Sequence, residues 1–176
     1  MKIHIIIPAL SCLATASPAH ASPARAAGEN VCRPGETMIF ACGIGRKVAA
    51  LCQGRAGSSS ASVQYRFGLS GKPEFVYPED HDSRSNAISY AFIPSAAGGE
   101  SQIIFSNRGF TYILYDKMWR TNYGPSGRHD SAFEAGILVQ RHNRIISRQI
   151  CDDHYELHLS SNLAERVLGQ ADSIDH

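Results

Sequence analysis

The chain has 176 residues, of which 43% are hydrophobic, and its 17 basic and 16 acidic side chains give a formal net charge of +1. A nearly neutral chain lacks the basic surface that binds nucleic acid or anionic lipid, so we expect neither partner. The length and the hydrophobic content are those of one domain with a packed core.

The first 21 residues have the pattern of an export signal. Lys2 precedes an apolar run from Ile3 to Ala16, and Ala19-His20-Ala21 supplies the small residues that a signal peptidase requires. We expect cleavage after Ala21, with Ala27 as the other site. Because Lys2 leaves with the signal, the remaining basic and acidic residues balance. The apolar run is shorter than the roughly 20 residues that cross a bilayer as a helix.

A second interpretation of the leader makes Cys12 an acylated lipoprotein residue. Ala9-Leu10-Ser11-Cys12 is similar to a lipoprotein signal, whereas Pro8 and the short preceding run favour ordinary cleavage. Residues 22–31 are small and polar, so we predict a disordered leader there. A single β domain is expected over residues 32–170, with a tail over residues 171–176.

Four cysteines remain after the leader, namely Cys32, Cys42, Cys52 and Cys151. An even number in an exported chain predicts two disulfides, whereas zinc ligands would be clustered at much shorter spacings. The sequence leaves three pairings open. A turn at Gly45-Arg46 would place Ile39 opposite Cys52 and bring Cys32 near Cys52, which favours Cys32–Cys52 with Cys42–Cys151.

Hairpin signals follow one another along the chain. Ser70-Gly71, Ser106-Asn107-Arg108-Gly109 and Arg141-His142-Asn143 predict tight turns, and apolar and polar residues alternate on their flanks. Predicted strands cover 38–42, 48–52, 63–67, 75–77, 87–93 (ended by Pro94), 102–105, 110–115, 135–139, 144–150 and 151–159. Asn162 is predicted to cap a short helix ended by Gly169. The sequence thus predicts an all-β fold, an antiparallel hairpin-linked sandwich or barrel of about eight strands with a short C-terminal helix.

Two stretches carry a resemblance to known proteins. MIFACGIGRKVAALC and VQYRFGLSGKPEFVYP resemble a group of small exported bacterial proteins with an F-x-C, G-x-K, S-L-C, Q-Y-R-F-G and P-E-L-x-F-P order. The resemblance spans residues 32–78, departs from the pattern at Ala50, and implies export and β-hairpins without any catalytic residue. In architecture the chain is also similar to the periplasmic lysozyme inhibitors.

Several polar clusters are candidates for metal or carboxylate chemistry. His154, Glu156 and His158 alternate, so in a strand they share one face, but the two histidines would lie roughly 13 Å apart and could not hold one ion. Glu79, Asp80 and Asp82 lack the glycine of a calcium loop. We interpret the first set as the solvent-exposed face of a strand and the second as a charged turn. We therefore expect no metal and no cofactor.

Catalysis is a weaker interpretation than binding. Ser126, Ser131, His129 and Asp130 contain the residue types of a serine hydrolase, but Gly124-Pro125-Ser126-Gly127 is not the strained elbow that exposes such a nucleophile. A charged and glycine-bearing loop is the simpler interpretation. The alternative function that stays open is an envelope hydrolase that uses His129 or His154 with an acidic partner.

Aromatic residues on alternating strand positions are expected to pack in the core. Trp119 is the exception, because a single tryptophan at a strand end is a typical contact residue. We therefore predict a periplasmic or secreted binding domain for a protein or glycan of the cell envelope, a cell-wall enzyme being one example. The predicted contact residues are Trp119, Ser126, Arg128 and His129, on loops that a rigid scaffold presents. A purely structural envelope protein is the third interpretation.

Overall fold

The structure, a computed structural model, describes residues 32–54, 63–79, 88–96, 98–121, 130–152 and 158–176. Its strands and helix are β1 (Thr37–Ile44), β2 (Lys47–Gln53), β3 (Val63–Leu69), β4 (Lys72–Tyr77), β5 (Ile88–Ser95), β6 (Gly98–Asn107), β7 (Phe110–Thr121), β8 (Asp130–Arg141), β9 (Arg144–Ile150), α1 (Ser161–Val167) and β10 (Gly169–Gln170). Across these ranges no helix has both the length and the apolar character needed to cross a membrane.

The strands form two sheets, which confirms the all-β prediction and selects the sandwich over the barrel. One sheet has four strands in the order β1-β2-β3-β4, and the other has six in the order β10-β5-β6-β7-β8-β9. Neighbouring strands are antiparallel except β10, which pairs with β5 in parallel. One buried apolar cluster draws residues from both sheets, including Leu51, Tyr65, Phe105 and Ile137, so the sheets pack face to face.

The hairpin turns lie where their residues predict them. Leu69 pairs with Lys72 across Ser70-Gly71, and Asn107 pairs with Phe110 across Arg108-Gly109. Arg108 and Gly109 both have positive φ values of 50° and 79°, and His142 and Asn143 have 52° and 59°. Paired positive angles match the right-handed twist of the flanking strands, which is why glycine and asparagine mark these turns.

Three local predictions were wrong, and a fourth, the final strand, is described only at its ends. Cys52 pairs with Met38 rather than Ile39, because Ile39 is the extra residue of a bulge. Pro94 does not end β5 but pairs with Gly99 inside the sheet. Ser160, not Asn162, is the cap residue of α1. In the region predicted as a final strand, residues 153–157 lie outside the described residues, and Leu159 forms only an isolated bridge with Phe40.

Two disulfides join Cys32 to Cys52 and Cys42 to Cys151, which confirms the favoured pairing. The first bond attaches the segment before β1 to β2. The second bond joins β1 of the four-stranded sheet to the residue that follows β9 of the six-stranded sheet. The domain is therefore a disulfide-stabilised sandwich, and bonds of this kind persist in oxidising compartments.

Both outer faces of the sandwich are partly covered by chain segments. Residues 32–36 lie on the outer face of the four-stranded sheet, where Glu36 pairs with the buried Arg66 of β3. Residues 171–176 lie on the outer face of the six-stranded sheet, where Ile174 packs against Ile113, Tyr115 and Leu138. The strands beneath are consequently buried on two sides rather than one.

Candidate functional site: a groove between the two sheets

A groove of about 470 Å³ opens where the edge of the four-stranded sheet meets the β6–β7 hairpin of the six-stranded sheet. One wall consists of β4 and the turn after it, and the other consists of the hairpin. The lining residues are Glu74, Phe75, Val76, Glu79, Asn107, Arg108, Phe110 and Tyr112. The volume is in the range of pockets that hold a small ligand or a side chain of a partner.

The floor of the groove is the outer end of an aromatic stack. The rings of Phe75 and Tyr112 are stacked at 5.4 Å, and Tyr112 stacks on Phe105 at 4.9 Å. Phe105 in turn stacks on Tyr77 at 4.8 Å and contacts Tyr65 at 5.1 Å. Because Phe105 and Tyr65 are buried, the stack fixes the half-buried rings of Phe75 and Tyr112 from beneath, and a ligand meets them already ordered.

Charged side chains stand around this aromatic floor. Glu79 and Arg108 form an ion pair of 3.4 Å across the groove, and both side chains are more than 70% exposed. Lys47 pairs with Glu74 at 2.6 Å. The guanidinium of Arg141 lies 5.3 Å from the ring centre of Phe110. An exposed pair such as Glu79–Arg108 contributes little to stability, so a ligand group can replace either partner at small cost.

Tyr65, which lies beneath the aromatic floor, is kept neutral by its burial. Burial raises the pKa of Tyr65 well above its ordinary value of 10, and the neighbouring Tyr112 hydroxyl adds to this rise. The floor offers the aromatic rings of Phe75 and Tyr112, while charge and further hydrogen-bonding groups come from Glu79, Arg108 and Asn107. Such a combination suits a sugar ring or an apolar side chain that has polar groups at its margin.

Trp119, the one predicted contact residue that the structure describes, does not line the groove. Trp119 is half-buried near the end of β7, where it pairs with Ala132. It is seven residues along the strand from Tyr112, or about 23 Å away at 3.3 Å per residue. Ser126, Arg128 and His129 lie outside the described residues, so their position relative to Trp119 stays a prediction.

The metal and carboxylate candidates are only partly described. Glu79 lines the groove, whereas Asp80 and Asp82, like His154 and Glu156, lie outside the described residues. The Nδ1 atom of His158 lies 3.1 Å from the carbonyl of Ala41 and so helps to hold the edge of β1. In the ranges that the structure covers, one group of metal-ligand type occurs, Cys32, Glu36 and Cys52, and its two sulfurs are bonded to each other.

A cluster of hydroxyl groups lies near α1 and bears on the hydrolase alternative. The Ser101 hydroxyl is 3.1 Å from the Tyr90 hydroxyl and 3.0 Å from the Ser161 hydroxyl. Asp116, opposite Ser101 on β7, accepts a hydrogen bond from the Leu159 N–H, and burial raises its pKa despite the nearby His158. Among the described residues, Ser101 thus contacts the hydroxyls of Tyr90 and Ser161, and these bonds fasten α1 to the sheet.

Sequence patterns did not identify the groove, although each lining residue was noted for another reason. Phe75 and Tyr112 were interpreted as core residues, Arg108 as a turn residue and Glu79 as part of a charged turn. Packing was the correct prediction for Tyr65, Tyr90, Phe105 and Tyr115, which are all buried. The missing information was which hairpin of one sheet lies beside which edge of the other.

Comparison with known proteins adds no identity to this geometry. The chain matches no protein-family model, no curated protein and no solved structure. The description of the domain as a disulfide-stabilised, two-sheet sandwich therefore rests on its own structure.

Proposed function

We propose that the chain is an exported binding domain, and that the groove between β4 and the β6–β7 hairpin holds a glycan or protein of the cell envelope. The observation that carries this proposal is the aromatic floor of Phe75 and Tyr112, held by stacking from the core and bordered by Glu79 and Arg108. Ordered aromatic faces beside charged groups are typical of binding hot spots. The leader supports export, and the two disulfides suit a chain that folds in an oxidising compartment.

A cell-wall enzyme is one partner of this kind, and its inhibition is the corresponding biochemical role. The resemblance to the periplasmic lysozyme inhibitors that the sequence suggested is the reason for this choice of test partner. The competing contact surface is the one predicted from the sequence, Trp119 with Ser126, Arg128 and His129, of which Trp119 lies at the other end of β7. The test must therefore distinguish the two ends of the sandwich.

The experiment uses protein expressed with its own leader and purified from the exported fraction. Soluble cell-wall glycan strands and lysozymes of several types are titrated onto the immobilised protein. Arg108→Asn removes the groove guanidinium while keeping a residue type that tolerates positive φ. We expect it to weaken binding by about tenfold or more, as the loss of a charged hydrogen bond does.

The matched control is His142→Asn, because His142 occupies the equivalent position of the β8–β9 turn, with a φ of 52° against 50° for Arg108. Its affinity should equal that of the unchanged protein. Binding that survives Arg108→Asn and Phe110→Ala but is lost in Arg128→Ala/His129→Ala would move the site to the Trp119 end. Absence of binding to every glycan and lysozyme would overturn the proposal.

A further inference from the structure

The sandwich has four sheet edges, and three of them are protected. The edge of β1 is covered by backbone hydrogen bonds of 2.8 Å between Ala41 and His158, between Ser160 and Ile39, and between Asp152 and Gly43. β10 is only two residues long and pairs with Ser89 and Tyr90, and the part of β5 beyond it contains Pro94. Pro73 is the second residue of β4, and Pro78 follows its last residue. Proline lacks the N–H that a further strand would bind.

The fourth edge, β9, contains no proline, and none of the described segments covers it with backbone hydrogen bonds. The N–H of Cys151 donates to the carbonyl of Ala135, which fixes the phase of the β8–β9 ladder. Since antiparallel residues alternate, Gln149 and Ser147 bond to β8, and Arg148 and Ile150 direct their N–H and C=O groups away from the sheet. Within the described ranges no backbone group bonds to these outward groups.

The side chains of β9 are unusual for a surface strand. Six of its seven residues are exposed, among them Ile145, Ile146 and Ile150, and the last two are more than 50% exposed. An exposed strand of this kind is a template for pairing with another strand. The bulge opposite Val139 and Gln140 interrupts the ladder near Ile146, which leaves residues 147–150 as the regular part of the edge.

The charge of this edge has one sign. Arg141, Arg144 and Arg148 lie within ten residues that contain no aspartate or glutamate. Arg148 lies 3.8 Å from Glu134 of β8, so one of these charges is already balanced. Two copies paired through β9 would bring their arginines together, which is unfavourable, whereas an acidic strand would gain attraction along the whole edge.

We propose that β9 is the docking site for an extended, acidic segment of a partner protein, which adds to the six-stranded sheet as a seventh strand. Main-chain bonds to Arg148 and Ile150 supply the pairing, the exposed isoleucines supply apolar contact, and the arginines select acidic side chains. The arginines also oppose self-association, so one set of charges both protects the edge and selects the partner. This site shares no residue with the groove lining and does not depend on it.

The test uses fluorescein-labelled octapeptides and fluorescence anisotropy with the full chain. A peptide of alternating threonine and glutamate is expected to bind saturably, and the same peptide with lysine in place of glutamate is expected not to bind. Two N-methylated forms of the glutamate peptide are also tested, one methylated at the odd-numbered residues and the other at the even-numbered residues. Because only one phase faces the edge, one set should bind about tenfold more weakly and the other should be unaffected.

The protein side of the test compares two changes at one position. Arg148→Ala and Arg148→Pro both remove the charge, but only the proline removes the outward N–H, which the β8 ladder does not use. Arg148→Pro should therefore bind the glutamate peptide more weakly than Arg148→Ala. The proposal is overturned if no glutamate peptide binds, if both N-methylation phases behave alike, or if sedimentation shows a dimer that Arg148→Pro dissociates.

Discussion

A largely buried arginine–carboxylate pair joins Arg66 of β3 to Glu36, which precedes β1. The Arg66 guanidinium donates to both carboxylate oxygens of Glu36 at 2.5 and 2.8 Å and also to the side-chain oxygen of Gln64. The Arg66 side chain is only 3% exposed. A guanidinium so enclosed depends on its acceptors, because an uncompensated buried charge is costly.

We expect Glu36→Gln to lower the free energy of unfolding by about 2–3 kcal/mol, since it removes the charge opposite the buried guanidinium. Denaturant unfolding near neutral pH measures the loss. The control is Glu74→Gln, which breaks the exposed Lys47–Glu74 pair and should change the free energy by less than about 1 kcal/mol. Equal effects of the two variants would show that the Arg66–Glu36 pair does not stabilise the fold.

The Arg66–Glu36 pair should also make the stability of the fold depend on pH. Burial alone would raise the pKa of Glu36, but hydrogen bonds from Arg66 and from the Arg33 backbone N–H, together with the two guanidinium charges, bring it below its ordinary value of 4.5. A lowered folded-state pKa stabilises the fold above pH 4.5, and that stabilisation is lost as the pH falls through the folded-state pKa. The difference between the unchanged protein and Glu36→Gln should therefore shrink in strong acid, as thermal unfolding across this range would show.

Sequence alternation placed these residues on the correct face but could not show that the face is covered. Val63, Tyr65 and Phe67 point to the shared core, as their period of two predicts, and Gln64 and Arg66 point to the other side. Gln64 and Arg66 are nevertheless buried, because the Cys32–Cys52 bond holds residues 32–36 against them. The alternation of apolar and polar residues shows to which face of the sheet a side chain points. Whether that side chain is buried depends on segments that are distant in sequence.

At the scale of the elements, turns were more predictable than registers. A glycine or asparagine in a short loop has a local cause, the positive φ, so the hairpins at Gly71, Gly109 and Asn143 were predicted correctly. A bulge has no such marker. The extra residue Ile39 changed the partner of Cys52, although Cys32 and Cys52 still lie at one end of the hairpin.

The two disulfides should differ in their effect on stability. The Cys42–Cys151 bond closes 109 residues and the Cys32–Cys52 bond closes 20. In the chain-entropy model, the longer loop stabilises by about 1.5 kcal/mol more at 25 °C. Denaturant unfolding of Cys42→Ala/Cys151→Ala should therefore show the larger loss. A larger loss in Cys32→Ala/Cys52→Ala would mean that the segment over Arg66 contributes more than loop closure does.

Residues 171–176 are attached to the six-stranded sheet mainly through one side chain. The Gln102 amide donates to the carbonyl of Ile174 at 2.8 Å and accepts from the Ile174 N–H at 2.9 Å, as a neighbouring strand would. The His176 imidazole lies 2.6 Å from Glu100 and completes the attachment. The amide of Ile174 is thus protected by a side chain rather than by a ladder.

We expect Gln102→Leu to increase the hydrogen-exchange rate of the Ile174 amide, because it removes both bonds to that residue. A loss of about 1–3 kcal/mol of stability should accompany it, since Glu100 also loses the amide donor. Gln140→Leu is the matched control, because Gln140 is also a buried glutamine and lies on the same face of the six-stranded sheet, in β8. If exchange at Ile174 is unchanged in Gln102→Leu, apolar packing of Ile174 holds the segment instead.

The groove belongs to the scale of the whole molecule, which explains why no local pattern predicted it. Its walls come from β4 and from the β6–β7 hairpin, and they meet only because one sheet packs on the other. The fold class needed only hairpin signals, so it was predictable. The relative position of the two sheets depends on core contacts such as Tyr65–Phe105, which link residues forty positions apart.

Phe105 occupies the centre of these contacts, so it tests whether the two sheets form one cooperative unit. It is 2% exposed and its ring touches Tyr65 and Tyr77 of one sheet and Tyr112 of its own sheet. We expect Phe105→Ala to lower the free energy of unfolding by about 3–5 kcal/mol. Trp119, the single tryptophan, reports on the six-stranded sheet by fluorescence, and amide exchange in β2 reports on the other. The unfolding transitions of the two sheets should both move to lower denaturant concentration, because the removed ring packs against both sheets. A shift of the Trp119 transition alone would mean that the four-stranded sheet, with its Cys32–Cys52 bond, is stable without the stack that forms the groove floor.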